Sequence, residues 1–153
     1  MNYWLMKSEP DEFSIDDLQS SKHQKTAWQG IRNYQARNFL RDGVKQNDLV
    51  FFYHSSCKEP AIVGLAEISQ AASIDISAFD EASAYFDAKS TLNNPKWIQV
   101  ELHFMAKFEH PITLKQLKAD PQLTNMVLVA KGARLSVQPV TADEFDHIMS
   151  LSR

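Results

Sequence analysis

The residues best able to do chemistry are concentrated between Lys22 and Lys45. Lys22, Lys25, Arg32, Arg37, Arg41 and Lys45 stand there against Asp42 alone, a local net charge of +5. Trp28 comes first, and Arg32 and Asn33 follow at the expected start of a helix. A helix start offers unpaired backbone N–H groups and the positive end of a dipole, so it can seat a phosphate. An aromatic ring beside it can stack on a nucleobase, for roughly 1–3 kcal/mol per base. Tyr34, Arg37 and Arg41 fall at i, i+3 and i+7 on one face of that helix, and Ala36, Phe39 and Leu40 form an apolar face. A core tryptophan with solvated arginines fits the same spacing, so the segment alone leaves both readings open.

Three other places carry polar groups in suggestive positions. Lys7, Ser8 and Glu9 follow the first strand, and Pro10 forces a sharp exit from it. Glu9 could there accept from a base amino group. His54, Ser55, Ser56 and Cys57 end a buried strand, where hydroxyls and an imidazole can line a pocket. Arg134, Ser136 and Gln138 alternate along a short strand, as at an edge or a cavity wall. Cys57 with His54 as its base is a weak nucleophile motif, because no third group is evident to orient the pair. The other histidines are scattered, so no metal site is expected. No glycine-rich phosphate loop, HExxH or GxSxG pattern occurs.

The whole chain has 153 residues and a net charge of −3, with a pI near 5.9. That average counts against a nucleic-acid binder. It conceals a polarised chain, because removing the basic segment leaves −8. A single Cys excludes an internal disulfide framework. The apolar run Met1–Lys7 is too short for a secretory signal and no run approaches a membrane span, so a cytoplasmic protein is expected.

These residues need elements to position them. Trp97–Phe108 alternates with period two, as in a strand with one face on a core. Leu49–His54 is apolar on both faces, and Ala61–Ile68 carries Gly64, a mark of a bulge or close backbone approach. Tyr3–Lys7 and Leu135–Gln138 are shorter strands. Ser14, Thr113 and Thr141 read as helix N-caps, with Asp17, Gln116 and Glu144 completing capping boxes. A fourth helix is expected from Tyr34 to Arg41, capped by Asn33 and stopped by Gly43. Ser69–Lys96 reads as a long loop with a helical turn near Asp80–Phe86. The order implies one α+β domain over residues 1–153, a small curved sheet or partial barrel with helices at its rim.

Four blocks carry a resemblance. YWLMKSEP at Tyr3–Pro10, WQGIRNYQARNFLR at Trp28–Arg41, FFYHSSCKEP at Phe51–Pro60 and RLSVQPVTADEF at Arg134–Phe145 together resemble an EVE domain, in order and over nearly the whole chain. The resemblance implies a PUA-like fold, a curved β-pseudobarrel with helices packed around it. It also implies a module, not an enzyme and without a cofactor, that binds a modified base in DNA or RNA by flipping it into an aromatic pocket. Carried over by residue, that pocket draws on Trp28, Arg32, Asn33, Tyr53, His54 and Ser55, with Lys7, Ser8, Arg134 and Ser136 nearby. Arg37 and Arg41 would hold the flanking backbone. Alternatives are a binder of a free modified nucleoside or small anionic metabolite, and a hydrolase or deaminase of modified nucleotides. Nothing functional transfers to the loop around Ser73–Asn94.

Overall fold

Strands that are apolar on both faces require cover on both faces, and the computed structural model supplies it. It describes residues 1–132 and 134–153. Six strands form one mixed sheet: β1 (Tyr3–Ser8), β2 (Lys25–Trp28), β3 (Leu49–His54), β4 (Ala61–Ile74), β5 (Ile98–Thr113) and β6 (Val137–Val140). Their order is β2-β5-β4-β3-β1-β6, with β1 and β3 parallel and the other pairs antiparallel. Along β3, Val50 and Phe52 enter one core with Trp4, Met6 and Trp28, while Phe51 and Tyr53 enter a second with Leu5. Helices α1 (Ile15–Ser20) and α2 (Tyr34–Asn38) cover the first face through Ile15, Leu18 and Ala36, joined by Leu40 from the turn after α2. Helices α3 (Leu114–Ala119) and α4 (Ala142–Leu151) cover the second through Leu117, Phe145 and Ile148. Covered faces explain why β3 reads as a continuous apolar run instead of an alternating one.

The hairpin β4–β5 bends the sheet. Its register shifts four times, between Ile62 and Gly64, Leu65 and Ala66, Ile68 and Gln70, and Gln70 and Ser73. Each irregularity adds local twist and bends the strand. Gly64 is required at the first of these for space. A Cβ there would lie 2.5 Å from the Ala106 carbonyl oxygen and 2.8 Å from Ile15 Cδ1. Both expectations for Gly64, bulge and close approach, therefore hold.

All three capping boxes form as expected. Other boundaries differ. β2 was not expected, because only Trp28 of its four residues is buried and no alternation announces it. β4 runs on to Ile74, and the last strand begins at Val137, two residues later than expected. The segment near Asp80–Phe86 forms turns, and the helical turn lies earlier, at Ile76–Phe79. Helix α2 has its Asn33 cap but passes into a π-helical turn at Phe39–Gly43. Gly43 is no left-handed stop: a Cβ there would sit 2.8 Å from Trp4 Cη2, so its role is to admit that indole. Among the described residues, no helix is long and apolar enough to cross a membrane.

Gly64→Ala should destabilise the protein by about 1–3 kcal/mol, because the new methyl meets backbone and a buried side chain. Urea unfolding at equilibrium measures the loss; an unchanged midpoint would contradict the close approach.

Candidate functional site

The sheet curls until both of its edges face one cleft. β2 contributes Thr26, Ala27 and Trp28 to this cleft, and the segment entering β6 contributes Arg134 and Ser136. Lys7 and Ser8 enter from the end of β1, Glu9, Glu12 and Phe13 from the turn after it, and Ser55 and Ser56 from beyond β3. The cavity volume is about 710 Å³, within the usual range for small-molecule sites.

Trp28 forms the aromatic floor. It is 8% exposed, and its ring is held edge-on by Phe13 at 6.3 Å and Phe52 at 5.6 Å between centroids. The core and the site readings of Trp28 are thus one reading: a clamped core tryptophan with a small face in the cleft. Backbone bonds tie the rim together. Lys7 N–H donates to the Ser136 carbonyl at 2.9 Å, and Ser55 N–H donates to the Ser8 carbonyl at 3.0 Å. The Ser8 hydroxyl donates to the Phe13 carbonyl at 2.6 Å, which fixes the turn.

Lys7 has its ammonium 5.9 Å from the Tyr53 ring centroid. Burial pushes its pKa below the usual lysine value. Burial, and to a lesser extent neighbouring Cys57, pushes the Tyr53 phenol up to about 12, so it stays protonated. The cleft thus presents an aromatic floor, cationic donors in Lys7 and Arg134, hydroxyls from Ser55 and Ser136, and carboxylate acceptors in Glu9 and Glu12. That set matches the mixed donor and acceptor edge of a heterocyclic base.

Of the residues expected at the site, Lys7, Ser8, Trp28, Ser55, Arg134 and Ser136 line this cleft, and Arg32, Asn33, Tyr53 and His54 do not. Tyr53 packs into the second core, because it lies one residue from Phe52 on the opposite face of β3. The His54 Nε2 accepts from Ile15 N–H at 3.1 Å and so closes the start of α1. Asn33 accepts from Ala36 N–H at 3.0 Å as the cap of α2. Gln138, grouped with Arg134 and Ser136 from sequence, is fully buried and donates to the Leu135 carbonyl. Among the described residues, Cys57 Sγ reaches only the backbone carbonyl of His54, at 3.9 Å. No cluster of three metal-ligating side chains occurs among the described residues.

Arg32 turns away from the cleft to a buried carboxylate. Its Nη1 donates to Asp75 Oδ2 at 3.1 Å and to the Ile31 carbonyl at 3.0 Å. Its Nε and Nη2 grip the Tyr85 carbonyl at 3.1 and 2.6 Å. Asp75 has no solvent exposure and also accepts from Gly30 N–H and Ser77 N–H, each at 2.9 Å. This places Tyr85 in the cleft wall, a residue of the long loop to which nothing functional was assigned. Gly30 makes room for it: its φ is +86°, and a Cβ there would fall 2.6 Å from the Tyr85 ring. A lone Gly after Trp28 was the only sequence signal for this contact.

Arg37 and Arg41 lie outside the cleft and already have partners. Arg37 donates to the Lys96 carbonyl at 2.9 Å and to Asn38 Oδ1. Arg41 pairs with Asp42 through two bonds of 2.8 and 2.9 Å.

A curved mixed sheet, covered by helices and open at one polar-aromatic cleft between its edges, defines a PUA-like α+β domain. The chain belongs to the EVE domain family, whose profile matches residues 2–151. Rat thymocyte nuclear protein 1 is 45% identical to it, over 98% of this chain and 73% of the relative. A Pseudomonas syringae protein of known structure is 49% identical, with a TM-score of 0.93 and 99% of each chain covered. Human THYN1, solved in complex with DNA containing 5-methylcytosine, is 42% identical, with a TM-score of 0.94 over 100% of this chain and 98% of that one.

Two outcomes follow from this geometry. Arg32→Ala leaves Asp75 buried without its cation and should cost about 3 kcal/mol or more. Adding Asp75→Asn should recover part of that loss in urea unfolding; a double variant no better than the single one would contradict the ion pair. Burial holds the His54 imidazole below its ordinary value of 6.5. The folded state then takes up the proton less readily than the unfolded state, so its stability contribution is complete above pH 6.5 and declines as the pH falls below it. Unfolding free energy measured from pH 7 to 5 should therefore fall more steeply for the natural protein than for His54→Gln.

Proposed function

We propose that residues 1–153 act as one EVE unit that binds nucleic acid carrying a modified base and performs no turnover on it. The base leaves its stack and enters the cleft over Trp28, where Lys7, Ser55, Ser136 and Arg134 meet its edge. The observation that carries this reading is the convergence of an aromatic floor, cationic donors, hydroxyls and carboxylates in one cavity of about 710 Å³. Family membership supports it, because human THYN1 is described with DNA containing 5-methylcytosine. Flipping a base costs a few kcal/mol, and stacking with edge hydrogen bonds must offset that cost. The commitment of the His54 lone pair to Ile15 N–H favours binding over acid–base catalysis. Arg37 and Arg41 would exchange their present partners for phosphates. The unpaired Cys57 favours a reducing compartment, and we place the protein in the cytoplasm.

Titration of modified and unmodified oligonucleotides, as DNA and as RNA, tests the reading. The natural protein should prefer at least one modified strand. Lys7→Gln should weaken that complex about tenfold or more, the size of one charged hydrogen bond. Replacing Arg37 and Arg41 together by Ala should flatten the salt dependence of binding, with little effect on a free nucleoside. Equal or absent binding across the panel sinks the reading, and a salt slope unmoved by the double change favours the free nucleoside.

A further inference from the structure

Outside the cleft, one surface feature is unexplained by the core. Tyr34 is 54% exposed, yet its ring is firmly stacked on Trp97, at 4.9 Å between centroids and 26° between planes. Trp97 is buried and anchored, with its indole N–H donating to Asp87 Oδ2 at 2.7 Å. Arg37 Cζ lies 4.9 Å from the Tyr34 centroid. Arg32 Cζ lies 5.2 Å from the Trp97 centroid and 5.7 Å from that of Tyr85. Tyr85, Arg32, Trp97, Tyr34 and Arg37 thus form a continuous ladder of rings and guanidinium groups. It begins at the cleft wall and ends on open surface beside Lys96, whose carbonyl holds Arg37.

We propose that the Tyr34 end of this ladder is a second nucleotide site, which stacks an unpaired base of the same strand as the one held in the cleft. The inference rests on the cleft reading for its direction along the strand. The ring is backed by a fixed tryptophan and overlain by the Arg37 guanidinium, and a base can stack on that planar cation or take its place on the ring once Arg37 turns to a phosphate. Rigidity matters, because the ring loses little freedom when it is covered. The occupant must be unpaired: inside a duplex both faces of a base are already covered by its neighbours. The partner is therefore a single strand, or a duplex opened around the modified base.

The test uses short single strands with a central 5-methylcytosine or cytosine, read by fluorescence anisotropy on the natural protein, Tyr34→Ala and Tyr34→Phe. Tyr34→Ala should weaken both strands by the same factor, at least about fivefold, the low end of stacking on an aromatic. The ratio between methylated and unmethylated strands should stay as it was. Tyr34→Phe keeps the ring and should restore both affinities. Circular dichroism on Tyr34→Ala checks that the fold is retained; as an exposed position it should be. Unchanged absolute affinities in Tyr34→Ala would overturn the second site, as would tighter binding of the same sequences when annealed into full duplex. Failure of the cleft reading appears separately, as a ratio of one in the natural protein, because the ladder is read on absolute affinity alone.

Discussion

One enclosed carboxylate joins the floor of the cleft to its wall. Asp75 follows the long strand β4 and begins the connection to β5, and the donors to it come from three parts of the chain. Gly30 N–H ties it to the chain leaving β2, Arg32 to the approach to α2, and Ser77 N–H to its own loop. A buried charge without a counterion would be strongly destabilising, so Arg32 has little freedom to leave. The guanidinium that neutralises Asp75 also grips the Tyr85 carbonyl and lies against two rings. Arg32, expected from sequence at the pocket, stands in this structure as a strut that positions the Tyr85 wall of the cleft.

The elements most legible in the sequence were those governed by local chemistry. Capping boxes at Ser14, Thr113 and Thr141 depend on three or four neighbouring residues, and each formed. β3 was legible because cover on both faces leaves a continuous apolar run. β2 was not, since three of its four residues lack burial and its place is set by pairing with β5. The site divided along the same line. Lys7, Ser8, Trp28, Ser55, Arg134 and Ser136 converge on one cleft. Tyr53 and His54 were expected at the pocket from the resemblance, but Tyr53 packs into the second core and the His54 ring is bonded to the start of α1, while Ser55 lies beyond the end of β3. Tyr85 left only the trace of Gly30, because its approach depends on Asp75, Arg32 and that missing side chain, which no local pattern joins.

Charge shows the same contrast between scales. The basic segment Lys22–Lys45 does not become a uniform cationic surface on folding. Arg32 is spent on Asp75 and Arg41 on Asp42, while Arg37 is pinned to backbone and Asn38. On Arg32 and Arg37 what remains is a pair of guanidinium groups oriented by protein acceptors and placed against aromatic rings. Such groups coat a duplex poorly, since coating depends on many mobile cations releasing counterions. They are better suited to holding a few nucleotides in fixed positions.

The cleft therefore has two walls of different mechanical character. Trp28 belongs to the sheet and is clamped edge-on by Phe13 and Phe52, so changing it disturbs the core. Tyr85 belongs to a connection held by one ion pair and a ladder of stacked rings, and changing it disturbs little else. Binding residues carried on loops over a rigid scaffold can vary without loss of fold. On the proposed reading, the floor sets that a flat ring is bound, and the connection sets which substituents on that ring are admitted. Selectivity among modified bases should accordingly diverge between relatives along the segment from Asp75 to Trp97, while the Trp28 floor and the Asp75–Arg32 pair that positions its opposite wall stay fixed by packing.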